Sequence, residues 1–474
     1  MLIGRKKEKK ELLDLLESTE SQFCAVYGRR RVGKTYLIRE TYNYTFTFQH
    51  TAIAKASIRR QLQAFRNSLL AAGYENCAVP QNWYDAFDLL ARLIEKSQEA
   101  KKLIFIDELS WMDTPKSNFI SALEHFWNGW VMARKEKDVV LVVCGSVTSW
   151  IINKIARNKD GLHNRLTSTI CVQPFTLSEC EQYANVMNLQ FQRKDIVEAY
   201  MVFGGVPYYW SLLRTGESLV QNINRLFFAK QAKLRMEFEE LFYSLFKKAD
   251  PYIAIVKALT QKKSGLTKGE LCSFAQLENG GTLFKQLEEL EQSGFIIKTV
   301  AFGKKNYGSV YRLIDNFVLF HYRFLAQNNS SDEQYWTNIH PTMAYVTWAG
   351  LSFEGICFSH IPQIKKALGI SGILSNVSSW RTEATDNHSG AQVDLLIDRA
   401  DNVINLCEIK FSNAEYVIDD EENRKLQNRK SAFVMETKTK KTIFLTMIST
   451  YGVLHNAYWN EIQCELTMDD LFDN

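Results

Sequence analysis

The sequence GRRRVGKT at residues 28–35 fits the pattern G-x-x-x-x-G-K-[ST]. The apolar run FCAVY at residues 23–27 predicts a buried strand before it, and YLIRE at residues 36–40 predicts the first turns of a helix after it. A strand, a Gly-rich loop and a helix N-terminus together aim backbone N–H groups at phosphate. The motif therefore predicts a loop that binds ATP, the alternative being a chance match in a Gly- and Arg-rich loop.

The last two residues of the motif carry the most specific chemistry. Lys34 is expected to reach the β- and γ-phosphates, and Thr35 is expected to bind Mg²⁺ through its hydroxyl. The residues of the loop predicted to contact the nucleotide are Gly28, Arg29, Arg30, Arg31, Val32, Gly33, Lys34 and Thr35.

Two further apolar runs end at the same predicted edge of a sheet. Residues 103–106 (LIFI) are followed by Asp107 and Glu108, and residues 139–143 (VVLVV) are followed by Cys144, Gly145 and Ser146. Because a parallel strand places the next residue at its carboxyl end, we predict that Asp107 binds Mg²⁺ and contacts the nucleotide site. Glu108 is predicted to act as the general base on the attacking water. Ser146 is either a turn residue or a sensor of the γ-phosphate.

The composition excludes several classes of protein. A chain of 474 residues that is 46% hydrophobic and 12% aromatic predicts a globular protein of about three domains. No apolar run approaches the roughly 20 residues that span a bilayer, and residues 1–7 (MLIGRKK) lack the apolar core of a secretory signal. The nine cysteines include no C-x-x-C pair, which indicates a reduced, cytoplasmic protein without a disulfide framework or a zinc site. The lack of a long apolar run predicts that the membrane is not a partner. The net charge of +4 neither requires nor excludes nucleic acid.

The pattern of elements predicts an α/β protein in four parts. Residues 1–175 alternate strands and helices as a parallel sheet with helices on both faces does, and residues 176–248 are helical only, which suggests a lid. Residues 249–330 change to short helices and a β-ribbon, and residues 340–474 form another domain with strands. The elements predicted in the first part include helices at residues 6–16, 58–70 and 83–96 and strands at residues 45–48 and 169–172.

Residues 249–330 predict a winged helix-turn-helix. Helices are expected at residues 252–260, from residue 267 and at residues 281–290, with strands at residues 295–299 and 309–313 joined by a basic turn at residues 303–306. In such a module the third helix can enter a major groove and the turn can touch phosphate. The alternative is a packing module, which the acidic residues Glu288, Glu289 and Glu291 of the third helix favour.

A second group of charged residues lies in the C-terminal part. Glu408 and Lys410 share one face of a predicted strand, and the preceding strand can bring Asp394 onto that face. Asp394 and Glu408 are predicted to bind Mg²⁺, with Glu354 from a helix as a third carboxylate, while Lys410 orients water or stabilises developing charge. Asp394, Glu408 and Lys410 are then catalytic residues of a nuclease-like site. The alternative is a surface strand with ordinary alternating charges.

These stretches resemble a known family. The IGR at residues 3–5, GRRRVGKT, LIFIDELSW at residues 103–111 and the Val206-Pro207 pair resemble the archaeal-type ATPase family, in the STAND branch of AAA+-like P-loop NTPases. The C-terminal part resembles the domain of unknown function that often follows this ATPase and is similar to PD-(D/E)xK nucleases. The implied fold is a P-loop NTPase sheet with a helical lid, a winged helix-turn-helix and an α/β restriction-endonuclease-like domain.

The resemblance implies further roles for individual residues. Gly4 and Arg5 would line the adenine pocket, and Pro207 would lie near the nucleotide from the lid. Arg165 lies where relatives carry an arginine that can act on the γ-phosphate, although a surface arginine at a helix end is an equal alternative. Asp394, Glu408 and Lys410 match the nuclease motif, whereas Glu354 matches the usual helical glutamate only loosely.

The leading hypothesis is therefore an ATP-binding and ATP-hydrolysing STAND-type switch coupled to a nuclease-like domain that acts on DNA. The second hypothesis is a non-cleaving, nucleotide-dependent DNA-binding or regulatory protein with a degenerate nuclease fold. A third is a chaperone-like ATPase that acts on proteins. The expected ligands are ATP, ADP and Mg²⁺, with DNA and a nucleotide-dependent homo-oligomer as candidate partners.

Overall fold

The structure is a computed structural model that describes residues 1–156, 162, 164–262, 265–303, 309–328, 332–340, 342–384 and 389–473. The chain divides into two compact units, Met1–Pro174 and Phe175–Asn474. The four-part division expected from the sequence stays a prediction.

The first unit contains a five-stranded, wholly parallel sheet with the order β2-β3-β4-β1-β5. Its strands are β1 (Gln22–Tyr27), β2 (Phe48–Thr51), β3 (Lys102–Asp107), β4 (Val139–Gly145) and β5 (Ser168–Cys171). Its helices are α1 (Lys6–Glu17), α2 (Lys34–Thr41), α3 (Ile58–Ala71), α4 (Trp83–Lys96), α5 (Phe119–His125) and α6 (Thr148–Ile151). The predicted α/β class with a parallel sheet is confirmed.

The sheet of the first unit is buried on both faces. In β1, Phe23 and Ala25 belong to the core on one face, with α3, α4 and α5. Cys24 and Val26 belong to the core on the other face, with α1 and α2. A strand covered on both faces must be apolar throughout, which explains the continuous apolar runs seen in the sequence.

The strand predicted at residues 45–48 is wrong in position, because β2 begins at Phe48 and ends at Thr51. Regular pairing with β3 starts where Phe48 lies opposite Ile104. The preceding residue, Thr47, pairs with Leu103 in an irregular way: its N–H donates to Leu103 O at 2.9 Å, and its side-chain Oγ1 accepts from Leu103 N at 3.0 Å. Because polar residues follow Phe48, β2 is not an apolar run, and the apolar pattern placed the strand too early in the chain.

The second unit opens with helices and then contains two sheets. Its helices are α7 (Leu177–Val186), α8 (Arg193–Phe203), α9 (Pro207–Trp210), α10 (Leu219–Ile223), α11 (Glu237–Leu245), α12 (Asp250–Leu259), α13 (Lys268–Ala275), α14 (Gly281–Gln292), α15 (Asn316–Phe320), α16 (Tyr335–Ile339), α17 (Met343–Ser359), α18 (Ile361–Ala367) and α19 (Asp420–Thr437). Its strands are β6 (Leu266–Thr267), β7 (Ile296–Thr299), β8 (Val310–Leu313), β9 (Ser375–Thr382), β10 (Ala391–Arg399), β11 (Val403–Lys410), β12 (Thr442–Ser449) and β13 (Cys464–Leu466).

The smaller sheet is antiparallel with the order β6-β8-β7. In the chain, β6 lies between the helices α12 and α13, and β7 and β8 follow α14. The three helices and two strands predicted here are present, with β6 as an additional short strand. The acidic side chains of α14 serve local contacts, since Glu289 accepts from the Tyr252 hydroxyl and Glu291 accepts from Lys298 N. Residues 304–306 of the predicted basic turn lie outside the described residues.

The larger sheet has the order β13-β12-β11-β10-β9. Strands β9, β10 and β11 form an antiparallel meander, and α19 then leads to β12, which is parallel to β11. An apolar core that includes Leu426 and Phe433 of α19 covers one face of this sheet. Helix α17 packs against β11. Across both units, none of the helices that the structure describes is long and apolar enough to cross a membrane.

Three buried histidines make the fold sensitive to acid. Burial lowers the pKa of His50, His321 and His360 from 6.5 to about 4, because the charged imidazolium is poorly solvated inside the protein. Between pH 6.5 and 4 the unfolded chain therefore binds protons that the folded chain does not. Above pH 6.5 these histidines are neutral in both states and do not reduce the free energy of unfolding. As the pH decreases below 6.5, the free energy of unfolding decreases by up to about 1.4 kcal/mol per pH unit for each histidine.

His321 offers a direct test of this dependence. Its ring stacks on Phe238 at a centroid distance of 4.0 Å, and its buried Nδ1 has no hydrogen-bond partner among the described residues. We predict that His321→Phe moves the midpoint of urea unfolding of the second unit little at pH 7.5 and raises it relative to wild type at pH 5.5. An equal loss of stability between the two pH values in both proteins would contradict this assignment.

Candidate functional site

The loop between β1 and α2 has a backbone that only certain residues can adopt. Gly28 has φ of 143°, and a Cβ there would lie 2.3 Å from the carbonyl oxygen of Val172, so no other residue fits without a shift of β5. Positive φ values recur at Arg31 (72°) and Gly33 (88°). Left-handed residues alternating with right-handed ones turn successive N–H groups toward one point, which makes a site for an anion.

The ammonium group of Lys34 is enclosed by this loop. Only 5% of Lys34 is exposed, and its Nζ donates to the carbonyl oxygens of Gly28 and Arg29, each at 2.9 Å. Burial lowers the pKa of Lys34, while the nearby carboxylates Glu108 and Asp107 act in the opposite direction. A buried cation held by neutral carbonyls gains much from an anionic ligand, because those carbonyls do not neutralise its charge.

The strand order brings four chemically important residues to the carboxyl edge of the sheet. Strand β4 lies between β1 and β3, so Ser146 after β4 lies between the loop after β1 and the carboxylates at the end of β3. Thr35 Oγ1 donates to Asp107 Oδ2 at 2.8 Å, and Ser146 Oγ donates to Glu108 Oε1 at 2.9 Å. The structure thus brings Thr35, Asp107, Glu108 and Ser146 together as the sequence predicted.

Glu108 has a strained backbone at this point. Its φ of 54° lies in the left-handed region that residues other than glycine seldom adopt. Its N–H donates to Asp107 Oδ1 at 2.9 Å, and its side chain accepts the hydrogen bond from Ser146. The surrounding contacts therefore fix both the backbone and the carboxylate of Glu108, as is common for residues that act on a substrate.

Arg5 joins the N-terminal segment to the loop. Gly4 and Arg5 have φ of 62° and 56°, and Arg5 is buried. Its Nη2 donates to Val32 O at 3.3 Å, and its Nη1 lies 3.6 Å from Glu8 Oε1. The segment expected to line an adenine pocket therefore contacts the phosphate-binding loop, and its role toward adenine stays a prediction.

The other residues predicted to contact the nucleotide are less closely joined to this group. Arg29 is buried, and Arg30 and Arg31 are partly buried. Arg165 is exposed in a turn before β5, where its N–H donates to Leu162 O. Pro207 begins α9 in the second unit. Their roles at the nucleotide stay predictions.

The predicted C-terminal site is divided between two sets of contacts. In the register of β10 and β11, Leu395 lies opposite Cys407, so Asp394 follows next to Glu408. A bulge in β10 between Val393 and Leu396 interrupts its pairing with β9. Asp394 Oδ1 lies 3.5 Å from Arg312 Nη2 of β8 and accepts from Gln392 Nε2 at 2.5 Å. Bulges re-aim side chains, which is consistent with Asp394 having partners other than Glu408.

Glu408 and Lys410 instead form ion pairs with α19. Lys410 Nζ lies 3.0 Å from Glu408 Oε1 and 2.9 Å from Glu422 Oε1. Arg429 Nη1 donates to Glu408 Oε2 at 2.8 Å. Burial acts to lower the pKa of Lys410, but the carboxylates of Glu408 and Glu422 outweigh it and raise the pKa. Lys410 is therefore held as a cation.

The predicted ligand set of Glu354, Asp394 and Glu408 is not assembled in this arrangement. Across the described residues, no group of three His, Cys, Asp or Glu side chains is placed to hold a metal ion. Glu354 is buried on α17. The physical reason is that Arg312 holds Asp394 while Lys410 and Arg429 hold Glu408.

The sequence analysis missed four residues of this region. Arg312, Gln392, Glu422 and Arg429 all contact the predicted nuclease-like residues. Arg312 carried one available signal, because it is the only charged residue in the VYRL strand β8. Glu422 and Arg429 are seven positions apart on α19, which places them on the same helix face.

Comparison with known proteins supports the N-terminal assignment. Residues 2–213 match the model of an ATPase domain found predominantly in Archaea. An uncharacterised protein of Methanocaldococcus jannaschii is 22% identical over 404 residues, which cover 84% of each chain. Residues 2–213 are therefore similar to archaeal-type ATPase domains.

Two solved structures are also similar. The Walker-type ATPase of Pyrococcus abyssi is 16% identical, with a TM-score of 0.50 over 67% of this chain and 95% of that chain. The ORC2 protein of Aeropyrum pernix, in its ADPNP–ADP complexes, is 14% identical, with a TM-score of 0.41 over 71% of this chain and 94% of that one. At this identity, the first match supports a P-loop ATPase fold and nothing finer.

A pair of substitutions at Thr35 tests the joined site. Thr35→Val keeps the shape of the side chain but removes the hydroxyl that donates to Asp107, whereas Thr35→Ser keeps the hydroxyl. We predict that Thr35→Val weakens Mg²⁺-dependent ATP binding by about 10–100-fold, as the loss of a metal ligand or its support does. Titration of a fluorescent ATP analogue with and without Mg²⁺ measures this effect. Equal loss in Thr35→Ser would show that the hydroxyl is not the cause.

Proposed function

We propose that this protein binds and hydrolyses ATP with Mg²⁺ and uses the cycle to control a C-terminal nuclease-like domain that acts on DNA. The observation that carries the ATPase part is the pair of hydrogen bonds at the carboxyl edge of the sheet, Thr35 to Asp107 and Ser146 to Glu108, next to the enclosed Lys34. Lys34 and Thr35 begin α2, Asp107 and Glu108 lie at the end of β3, and Ser146 follows β4. Together they supply a cation, a hydroxyl, two carboxylates and backbone N–H groups, which is the donor set that a nucleotide with Mg²⁺ requires.

The residues of this site fit both the nucleotide and Mg²⁺. The positive φ values at Gly28, Arg31 and Gly33 turn backbone N–H groups of the loop toward the position of a phosphate. The hydroxyl of Thr35 and the carboxylate of Asp107 are the hard oxygen ligands that Mg²⁺ prefers. When bound, Mg²⁺ would neutralise charge that develops on the phosphate oxygens.

Residues of this chain perform the remaining steps. Lys34 binds the β- and γ-phosphates and loses its two loop carbonyls as partners. Glu108 removes a proton from the attacking water, for which its carboxylate must be released by the Ser146 hydroxyl. Ser146 can then donate to the nucleotide instead. Because the Ser146 hydroxyl can donate either to Glu108 or to the γ-phosphate, the presence of the γ-phosphate changes the contacts of Glu108. In this way Ser146 would act as a sensor.

The proposal for the C-terminal domain depends on Asp394, Glu408 and Lys410. They stand on adjacent strands β10 and β11, and the meander continues through α19 to the parallel strand β12. We propose that this is a PD-(D/E)xK-like domain and that residues 249–330, with the antiparallel sheet β6-β8-β7, form a winged helix. In the present arrangement ion pairs occupy the two carboxylates. Metal binding there requires Arg312 and Arg429 to give up their partners, which a nucleotide-driven change of arrangement can cause.

A second function has its own support. Lys410, Glu408, Glu422 and Arg429 form a closed network in which every charge has an opposite neighbour. Such a network stabilises a fold without any catalytic role. A non-cleaving, nucleotide-dependent regulator that binds DNA is therefore the alternative. A STAND-type mechanism, a cytoplasmic location and a nucleotide-dependent homo-oligomer complete the proposal in either case.

Substitutions in the ATPase site should separate binding from chemistry. We predict that Glu108→Gln binds ATP normally but hydrolyses it about 100-fold more slowly or worse, because the general base is lost while the phosphate contacts remain. Lys34→Ala should lose ATP binding itself, and Lys10→Ala on the exposed side of α1 should behave as wild type. Calorimetry for binding and phosphate release for turnover provide the measurement. Normal ATP affinity in Lys34→Ala would show that the loop is not the nucleotide site.

Plasmid nicking distinguishes the two functions of the C-terminal domain. We predict Mg²⁺- or Mn²⁺-dependent nicking that changes with ATP and is lost in Asp394→Asn and in Lys410→Ala. Lys440→Ala, an exposed lysine in the same domain, is the matched control and should cleave as wild type. Absence of cleavage with either metal, with or without nucleotide, on supercoiled, linear and single-stranded DNA would favour the regulator.

A further inference from the structure

A cavity lies between the two sheets of the second unit. Ala301, just after β7, forms a parallel bridge with Ser379 of β9, and Phe302 N donates to Ser379 O at 3.0 Å. The space enclosed by β8, β9 and β10 has a volume of about 620 Å³. Cavities of roughly 300–1,000 Å³ are the size in which proteins bind small ligands. The proposed ATP site in the first unit does not use it.

Arg312 gives this cavity an unusual wall. It lines the cavity, is only 7% exposed and stacks over the ring of Phe358 at 5.4 Å. Its contact with Asp394, at 3.5 Å, is at the outer limit for a hydrogen bond. Its buried Nε has no hydrogen-bond partner within the part of the chain that the structure describes. A buried guanidinium with five N–H donors is costly unless they are paired, so this site is suited to a further anion.

The remaining wall residues narrow the kind of anion. Arg381 also lines the cavity, with 43% of its side chain exposed and its Nη2 4.0 Å from Glu270 Oε1, so the wall contains a second cation. Trp380 supplies an aromatic surface, and Gln392 and Thr382 supply polar groups. The carboxylates of Glu383 and Glu436 also line the cavity and would repel an extended polyanion from their side. A single phosphate next to an apolar ring fits these walls.

We propose that the cavity binds one phosphorylated nucleotide unit and that Arg312 exchanges Asp394 for its phosphate. The guanidinium matches a phosphate through two parallel hydrogen bonds, which its long contact with Asp394 does not provide. Trp380 offers a face for the base. The binding event then frees the Asp394 carboxylate, which rests on the proposed function of that residue as a metal ligand. Arg312 in this way makes the acidic site available only when a nucleotide is present beside it.

The phosphate has two possible sources, a free nucleotide or the end of a DNA strand. Both share the chemistry that Arg312 and Arg381 recognise. The test therefore uses full-length Lys34→Ala protein, in which the ATP loop does not contribute binding. A fluorescent trinucleotide with a 5′-phosphate is titrated by anisotropy. Unlabelled AMP, unlabelled 5′-phosphorylated trinucleotide and unphosphorylated trinucleotide are used as competitors.

We expect the phosphorylated trinucleotide to bind with an affinity that Arg312→Gln lowers by at least tenfold and Arg381→Gln lowers severalfold. Arg235→Gln, an exposed arginine elsewhere in the second unit, should change nothing. Competition by AMP assigns the site to free nucleotide, and competition only by phosphorylated oligonucleotide assigns it to a strand end. Unchanged affinity in both Arg381→Gln and Arg312→Gln would overturn the proposal. Arg381 is exposed where it lines the cavity, so Arg381→Gln is the variant that decides if Arg312→Gln does not fold. Unchanged affinity in Arg381→Gln would then overturn the proposal.

The outcomes for the cavity and for the nuclease differ. Arginine-dependent binding without any plasmid nicking would retain the cavity and remove the nuclease function. Nicking that depends on Asp394 together with binding that does not depend on Arg312 or Arg381 would do the reverse. If both proposals hold, the phosphorylated trinucleotide should stimulate Asp394-dependent nicking in wild type and not in Arg381→Gln.

Discussion

The hydrogen bond from Thr35 to Asp107 joins the start of α2, the helix that follows β1, to the end of β3, which is not a neighbour of β1 in the sheet. Strand β4 separates β1 from β3, so the contact at 2.8 Å crosses the end of a third strand. It can form only if all three strands end at the same height, and that height is set by apolar packing on both faces. Ser146 at the end of β4 then necessarily lies beside Glu108. The geometry of the ATPase site is thus a consequence of how three buried strands are stacked.

The second unit holds its charged residues in a different way. Lys34 donates its hydrogen bonds to two neutral carbonyls, whereas Glu408 and Lys410 pair with each other and with opposite charges from α19. Partly exposed ion pairs contribute little to stability, about 0–1 kcal/mol each, so they can be exchanged for other partners at small cost. Arg312 is the most enclosed of the cations in these ion pairs, with 9% of its side chain exposed, so the loss of its contact with Asp394 would cost more than the loss of one of the other pairs.

Sequence patterns predicted the local parts of this structure well. The loop at residues 28–35 and the pair Asp107-Glu108 were placed correctly because each is fixed by its own strand. The role of Ser146 stayed open, because the order of strands is a property of the folded sheet and is absent from any single run. The position of β2 was predicted wrongly for a similar reason, because its polar residues form a strand by pairing with β3. The Arg312–Asp394 contact joins residues 82 positions apart, and no local periodicity announces it.

The bridge between Ala301 and Ser379 has a further effect on the larger sheet. β9 is an edge strand, and an open edge presents unpaired N–H and C=O groups that a strand from another molecule can join. The short segment after β7 occupies part of that edge with its own backbone, and Phe302 anchors it by packing on Phe433 at 5.1 Å. The same few residues that enclose the cavity therefore protect the protein from edge-to-edge aggregation, and selection for solubility would preserve them even without a ligand.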